Sequence, residues 1–222
     1  MKIAENILKH SLQNVYFLVG TACGGKTTMG REIAKKHGFI YYGDNWTEPI
    51  FKVWESILEE KYQPLWTARA KRVDHEAYYS RTADELWAEQ KQDQSEREYV
   101  EFSIIELVKL SQKNKVIADV WIEDWQLLTE IADHNRIACL LAPGELIVRD
   151  YYQREDHIDF TNFIKRLKNP DQKFAVQNEL FRRGALEIAE KAKQYGLFTI
   201  MRSEDSTVEG TLAILENHFK LV

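Results

Sequence analysis

Short apolar runs alternate along this chain with longer stretches in which apolar and charged positions recur at helical spacing. The runs Val15 to Val19, Phe39 to Tyr42, Val116 to Val120, Ile137 to Leu141 and Leu197 to Met201 read as strands, the first closed by Gly20 and the second by Gly43 and Asp44. They are apolar almost throughout, which is the pattern of strands buried on both faces. Thr27 to His37, stopped by Gly38, reads as a helix between the first two strands. This alternation predicts a three-layer α/β fold, a five-stranded parallel sheet with helices on both faces.

Two long intervals, 46–115 and 145–196, carry periodic apolar and charged residues and read as helical segments, not linkers. The first holds scattered aromatics, among them Trp54, Tyr62, Trp66, Tyr78, Tyr79 and Trp87, and the second holds many of the later arginines. At 222 residues the chain suits one well-buried α/β domain and is short for two, and no Pro/Ser-rich linker or repeat divides it. Residues 1–222 therefore read as a single domain. The net charge of -5, from 30 Lys+Arg against 35 Asp+Glu, is not concentrated in any run, so nucleic acid is not an expected partner. Cys23 and Cys139 are the only cysteines and suggest neither a disulfide framework nor a zinc site, which fits a reducing cytoplasm. Met1 to Asn14 lacks the apolar core of a signal peptide and the length of a membrane span, so a cytoplasmic, membrane-free protein is expected.

Gly20-Thr21-Ala22-Cys23-Gly24-Gly25-Lys26-Thr27 fits G-x-x-x-x-G-K-S/T and lies between a predicted strand and a predicted helix, the context this phosphate-binding motif requires. Gly20, Gly24 and Gly25 permit tight curvature, so that backbone N–H groups from the loop through Thr28 approach phosphate oxygens at the positive end of the helix. Lys26 is suited to the β and γ phosphates, and the Thr27 hydroxyl to Mg²⁺. Asp119 closes the apolar run V-I-A-D as the acidic residue of a Walker B strand does, which makes it a second Mg²⁺ ligand. The same residue at a strand end also suits a cap for the next helix.

With these motifs the chain resembles the nucleoside monophosphate kinase and shikimate kinase group of P-loop kinases, which includes antibiotic phosphotransferases such as chloramphenicol phosphotransferase. The resemblance is one of layout. It covers the phosphate loop at 20–28, the strand ending at Asp44, the strand ending at Asp119, and Leu141-Ala142-Pro143-Gly144-Glu145 followed by Arg149 and Arg154. It also covers the last strand with Arg202 to Glu209, in the place of the family's adenine-side loop. Two departures narrow it. Shikimate kinases carry D-x-D after the second strand and a glycine triplet after the third, where this chain has Gly43-Asp44-Asn45-Trp46 and Asp119-Val120-Trp121-Ile122, which argues against shikimate. Adenylate kinases carry an arginine after the third strand that has no counterpart here. An Asn-Lys-x-Asp guanine motif is absent, which disfavours a regulatory GTPase.

The resemblance implies ATP and Mg²⁺ as cofactors and transfer of the γ-phosphoryl group to a hydroxyl of a small-molecule acceptor. Asp44 stands where family members place an aspartate facing that hydroxyl, and it would accept the proton; Gly43-Asp44-Asn45 is equally a good turn sequence. Arg149 and Arg154 stand where the family places its lid, at about 149–186, and would stabilise charge on the transferring group; Arg166, Arg182 and Arg183 are weaker candidates, and a solvated helix face is the alternative for each. The aromatic interval at about 45–115 corresponds to the acceptor-binding region, with His75 and Arg81 adding polar contacts, or else its rings are core. A nucleoside or nucleotide acceptor is the second reading, and an ATP-binding regulatory module that hydrolyses slowly or not at all is the third.

Overall fold

A strand buried on both faces needs helices above and below it, and the two sides of this sheet are supplied from different parts of the chain. The computed structural model describes residues 5–43, 75–91, 95–122 and 124–221. Its strands are β1 (Val15–Gly20), β2 (Ile40–Tyr42), β3 (Val116–Asp119), β4 (Ile137–Leu141) and β5 (Phe198–Met201). They form one sheet in the order β2-β3-β1-β4-β5, with every pairing parallel. The strand that leads into the glycine loop is therefore central. Leu18 stands opposite Asp119 on one side of it, and Gly20 stands opposite Leu140 on the other.

Side chains alternate between the two faces of each strand. Val15, Phe17, Val19, Val116, Ala118, Ile137, Cys139 and Leu141 share a core with residues of α5 (Ser95–Ser111), α6 (Trp125–Ile131) and α9 (Pro170–Gln194). Leu12, just beyond α1 (Glu5–Ser11), joins them. Tyr16, Leu18, Ile117, Ala138 and Leu140 pack on the other face against Met29 and Ile33 of α2 (Lys26–His37) and Leu215 and Phe219 of α10 (Val208–Phe219). The result is the expected three-layer α/β fold, and β1 with α2 frames the loop in the strand–loop–helix arrangement of a P-loop.

The strand ends differ from the sequence pattern for identifiable reasons. Phe39 reads as strand, but its N–H is used to close α2, bonding to Ala34 O at 3.1 Å beyond Gly38. Leu197 does the same for α9, bonding to Ala192 O at 3.0 Å. Val120 is buried but lies beyond Asp119, the last residue of β3. The interval after β4 is helical as expected, divided into α7 (Gly144–Asp150), two short 3₁₀ turns, α8 (Ile158–Lys165) and the 25-residue α9. The described part of the interval after β2 is helical too: α3 (His75–Tyr79), α4 (Ala83–Gln90) and α5. Trp54, Tyr62 and Trp66 lie outside the described residues.

These two intervals meet. Glu76 of α3 accepts from Lys168 N at 2.7 Å and pairs at 2.8 Å with Lys173, which is only 4% exposed. Arg183 of α9 reaches Asp84 of α4 at 2.6 Å, and Lys91 pairs with Glu187. Helix α4 begins on a capping box, in which Thr82 and Glu85 satisfy each other's backbone N–H groups. Among the described residues no helix is long and apolar enough to cross a membrane. Both cysteines are free and buried.

The second helical layer is held by one buried carboxylate. Glu216 of α10 lies 2.7 Å from Lys36 Nζ and 2.6 Å from His37 Nε2, at the end of α2. Lys36 and then His37 hold its pKa below the usual carboxylate value. Glu216→Gln should lower the melting temperature by about 4 °C or more at pH 7. Because the folded pKa is depressed, that difference should shrink as pH falls below about 4.3, first through the unfolded and then through the folded pKa of the wild-type carboxyl. Thermal melts of both proteins across pH 3 to 7 check this; a difference constant over that range would contradict it.

Candidate functional site

The loop between β1 and α2 is shaped by how closely its backbone passes the end of β4. A Cβ on Gly20, at φ 127°, would fall 2.0 Å from Leu140 O, and a Cβ on Gly24 would fall 2.3 Å from the same oxygen. Neither position accepts a side chain. Thr21 fastens the loop to the same strand end, donating its N–H to Leu140 O at 3.1 Å while its hydroxyl accepts from Ala142 N at 2.7 Å. The chain then turns through left-handed conformations at Cys23 (φ 56°) and Gly25 (φ 96°) before entering α2 at Lys26. No side chain caps α2 and its own first turn holds no acidic residue, so its positive end opens on the concave side of the loop.

Lys26 extends back over the loop, its Nζ donating to Thr21 O at 2.8 Å and reaching Gly20 O at 3.5 Å. One residue on, Thr27 Oγ1 donates to Asp119 Oδ2 at 2.7 Å. The parallel register of β1 and β3 carries both to the same sheet edge, and it buries Asp119 to 2% exposure. The capping alternative for Asp119 does not hold, since Asp124 caps the next helix by accepting from Leu127 N at 2.9 Å. Tyr41 Oη also donates to Asp119 Oδ2, at 3.3 Å.

Several arginines surround the loop, and they are held in different ways. Burial raises the Cys23 thiol pKa, and the neighbouring Arg154 guanidinium acts against that rise. Arg154 also grips Asp156, at 2.9 and 2.5 Å. Arg149 instead pairs with Asp150 at 2.6 Å and with Glu204 beyond β5, and its link to the loop runs through Asp150 to Arg202. Arg202 donates to Cys23 O at 2.8 Å and to Asp150 Oδ2 at 3.0 Å. Arg149, and then Arg202, hold the Asp150 carboxyl below the usual range. The arginines expected to act as a pair thus occupy distinct positions, Arg154 near Cys23 and Arg149 linked to the loop through Asp150 and Arg202.

The remaining candidates lie elsewhere. Arg182 is bound to Glu145, and Arg183 to Glu179 and Asp84, as members of a charged helix surface. Arg166 follows α8, and Arg81 pairs with Glu89 over the Tyr78 ring. His75 opens α3. Asp44 lies outside the described residues; β2 leads toward it and ends beside β3.

Arg202 and Tyr41 are at the site, and the sequence reading assigned neither a role there. Arg202 carried a usable signal, being the first residue after a parallel strand, where side chains converge on the ligand edge. Tyr41 carried none, because a tyrosine in an apolar strand is ordinary.

The oxygen donors suit a small hard cation, which keeps few protein ligands and takes others from phosphate and water. Among the described residues there is no cluster of three or more His, Cys, Asp or Glu that could hold a metal ion without such help. The glycine cradle and the uncapped helix end likewise suit phosphate.

No protein-family model matches this chain, and no curated protein matches it significantly. Among solved structures it is similar to the shikimate kinase of Acinetobacter baumannii in complex with shikimate, at 17% identity and a TM-score of 0.45 over 93% of each chain. A likeness this distant transfers no residue role.

The Leu140 contact yields a direct test. Gly24→Ala should destabilise the fold by about 1–3 kcal/mol, because its methyl group meets a backbone carbonyl that cannot turn aside. Gly38→Ala has open space but a positive φ, and should cost only about 1 kcal/mol. Urea unfolding of both variants measures the contrast.

Proposed function

We propose that this protein is a small-molecule kinase that transfers the γ-phosphoryl group of ATP to a hydroxyl. The observation that carries this reading is the 2.7 Å contact between Thr27 and the buried carboxylate of Asp119, beside a glycine loop on which Lys26 and Arg154 converge. An uncapped helix end with a lysine would bind many anions. Adding a hydroxyl and a carboxylate on its flank matches a phosphate chain that carries a cation.

In this reading backbone N–H groups of the glycine loop and of the first turn of α2 through Thr28 hold the phosphates while the Thr21 N–H stays on Leu140 O, and Lys26 exchanges the Thr21 carbonyl for β and γ phosphate oxygens. Thr27 and Asp119 hold Mg²⁺, which supplies charge neutralisation of the phosphates when bound. Arg154 leaves Asp156 for the equatorial oxygens of the transferring group, while Arg149 and Arg202 secure the 149–186 segment as a lid over the loop. Asp44 accepts the proton of the attacking hydroxyl. Its chain position supports this: it follows the end of β2 by two residues, and β2 is the parallel neighbour of β3, the strand that carries Asp119.

Incubation with Mg·ATP and a broad panel of metabolites and nucleosides should give a phosphorylated product and stoichiometric ADP for one acceptor class. Nucleoside products would favour the nucleotide-kinase reading. Absence of Mg·ATP binding by calorimetry would sink the proposal, and tight binding with no product from any acceptor would favour a regulatory module. Lys26→Ala should weaken ATP binding by about 10-fold or more with an unchanged circular dichroism spectrum.

Once an acceptor is known, steady-state kinetics distinguish the remaining roles. Asp44→Asn should lower kcat by about 10²-fold with little change in ATP affinity. Arg154→Ala should lower kcat by about 10²-fold, and Arg149→Ala by clearly less, since Arg154 neighbours Cys23 while Arg149 is held by Asp150 and Glu204. Equal losses at the two arginines would count against this division of labour.

A further inference from the structure

Asp119 Oδ2 accepts two hydrogen bonds, from Thr27 Oγ1 at 2.7 Å and from Tyr41 Oη at 3.3 Å. The first belongs to the proposed cation site. The second has no part in it so far, yet the fold makes specific room for it. A Cβ on Gly30 of α2 would lie 2.7 Å from Tyr41 Cε2, and a Cβ on Gly43 would lie 2.2 Å from Tyr41 Oη. The ring thus occupies space left by two absent side chains, one on the phosphate-loop helix and one at the end of β2. The Arg31 guanidinium stands 5.7 Å above its centre. The ring is partly buried, and Gly30 and Gly43 leave it room on two sides that larger residues would fill.

We infer that Tyr41 is a positioning residue for the cation site: its hydroxyl fixes the rotation of the Asp119 carboxylate, so that Asp119 and Thr27 face a divalent cation together. This rests on the Mg·ATP reading above. A carboxylate with one hydrogen bond can swing about its terminal torsion, whereas two donors on Oδ2 from opposite elements hold it and direct Oδ1 away from them. Loss of such an outer partner typically weakens metal binding by about 10- to 100-fold.

The test is the Mg²⁺ dependence of nucleotide binding, measured by calorimetric titration of ATP at a series of Mg²⁺ concentrations and in EDTA. Tyr41→Phe keeps the ring in its enclosure and removes only the hydroxyl. It should need about 10-fold more Mg²⁺ for half-maximal enhancement, with metal-free ATP affinity unchanged. Gly30→Ala, which must displace the ring by contact with Cε2, should shift the Mg²⁺ requirement in the same direction with Tyr41 still present. It also serves if the phenylalanine variant proves poorly folded. A purely structural tyrosine would instead change the melting temperature and leave the Mg²⁺ midpoint alone, and that result overturns the inference. If the wild type binds Mg·ATP and both variants share its Mg²⁺ midpoint, only the role of Tyr41 falls. If the wild type shows no Mg²⁺-dependent nucleotide binding, the kinase reading falls with it.

Discussion

A carboxylate removed from water must be met by donors, and in this fold the donors that meet Asp119 decide how the loop edge is assembled. Thr27 comes from the first turn of α2, Asp119 from the end of β3 and Tyr41 from β2. The first and last of these elements follow one another in the chain, whereas Asp119 lies 92 residues beyond Thr27. Their convergence therefore fixes the approach of α2 to the sheet, the relative height of β1 and β3, and the exit of the chain from β2. Removal of any one partner leaves a buried charge short of a hydrogen bond, which is far costlier than the loss of a surface contact.

A second constraint acts from the opposite side of β1. Leu140 O lies where Cβ atoms on Gly20 and Gly24 would be, so the loop rests directly on the end of β4. The glycines are thus required by proximity as well as by dihedral angle. Gly24 shows the difference, because its φ is unexceptional and its restriction is steric. Between β3 and β4 the loop has little freedom, and a rigid arrangement of N–H groups is what anion recognition needs.

The cations around the loop are satisfied within the protein: Lys26 by loop carbonyls, Arg154 by Asp156, Arg149 by Asp150 and Glu204, and Arg202 by Asp150 and the Cys23 carbonyl. Ligand binding by any of them is an exchange of partners, so its net free energy is smaller than the new contact alone suggests. The exchange also couples the glycine loop to the 149–186 segment. Asp150 bridges an arginine of that segment to one that touches the loop, and any ligand that disturbs Arg202 acts on Arg149 through that carboxylate.

The glycine motif, its strand and its helix were legible in the chain because their signals are local: steric permission at Gly20 and Gly25, an apolar run, and 3.6-residue periodicity up to Gly38. The pairing of Thr27 with Asp119 followed from the same logic, since parallel strands present their carboxyl ends on one edge. The arginines were less legible. Arg149, Arg154, Arg182 and Arg183 carry equivalent sequence signals, and only the path of α7 to α9 sets Arg154 on Cys23 and turns the others toward carboxylates. Tyr41 gained its place entirely from packing, and Arg202, though it follows a parallel strand, reaches Cys23 only through a strand order that sets β5 against β4 and β4 against β1. The elements and the glycine loop could be read from the chain alone because their signals reside in consecutive residues. Tertiary structure alone decided which distant side chains reach that loop, because such contacts depend on register and on helix path, and neither is written in the spacing of any one segment.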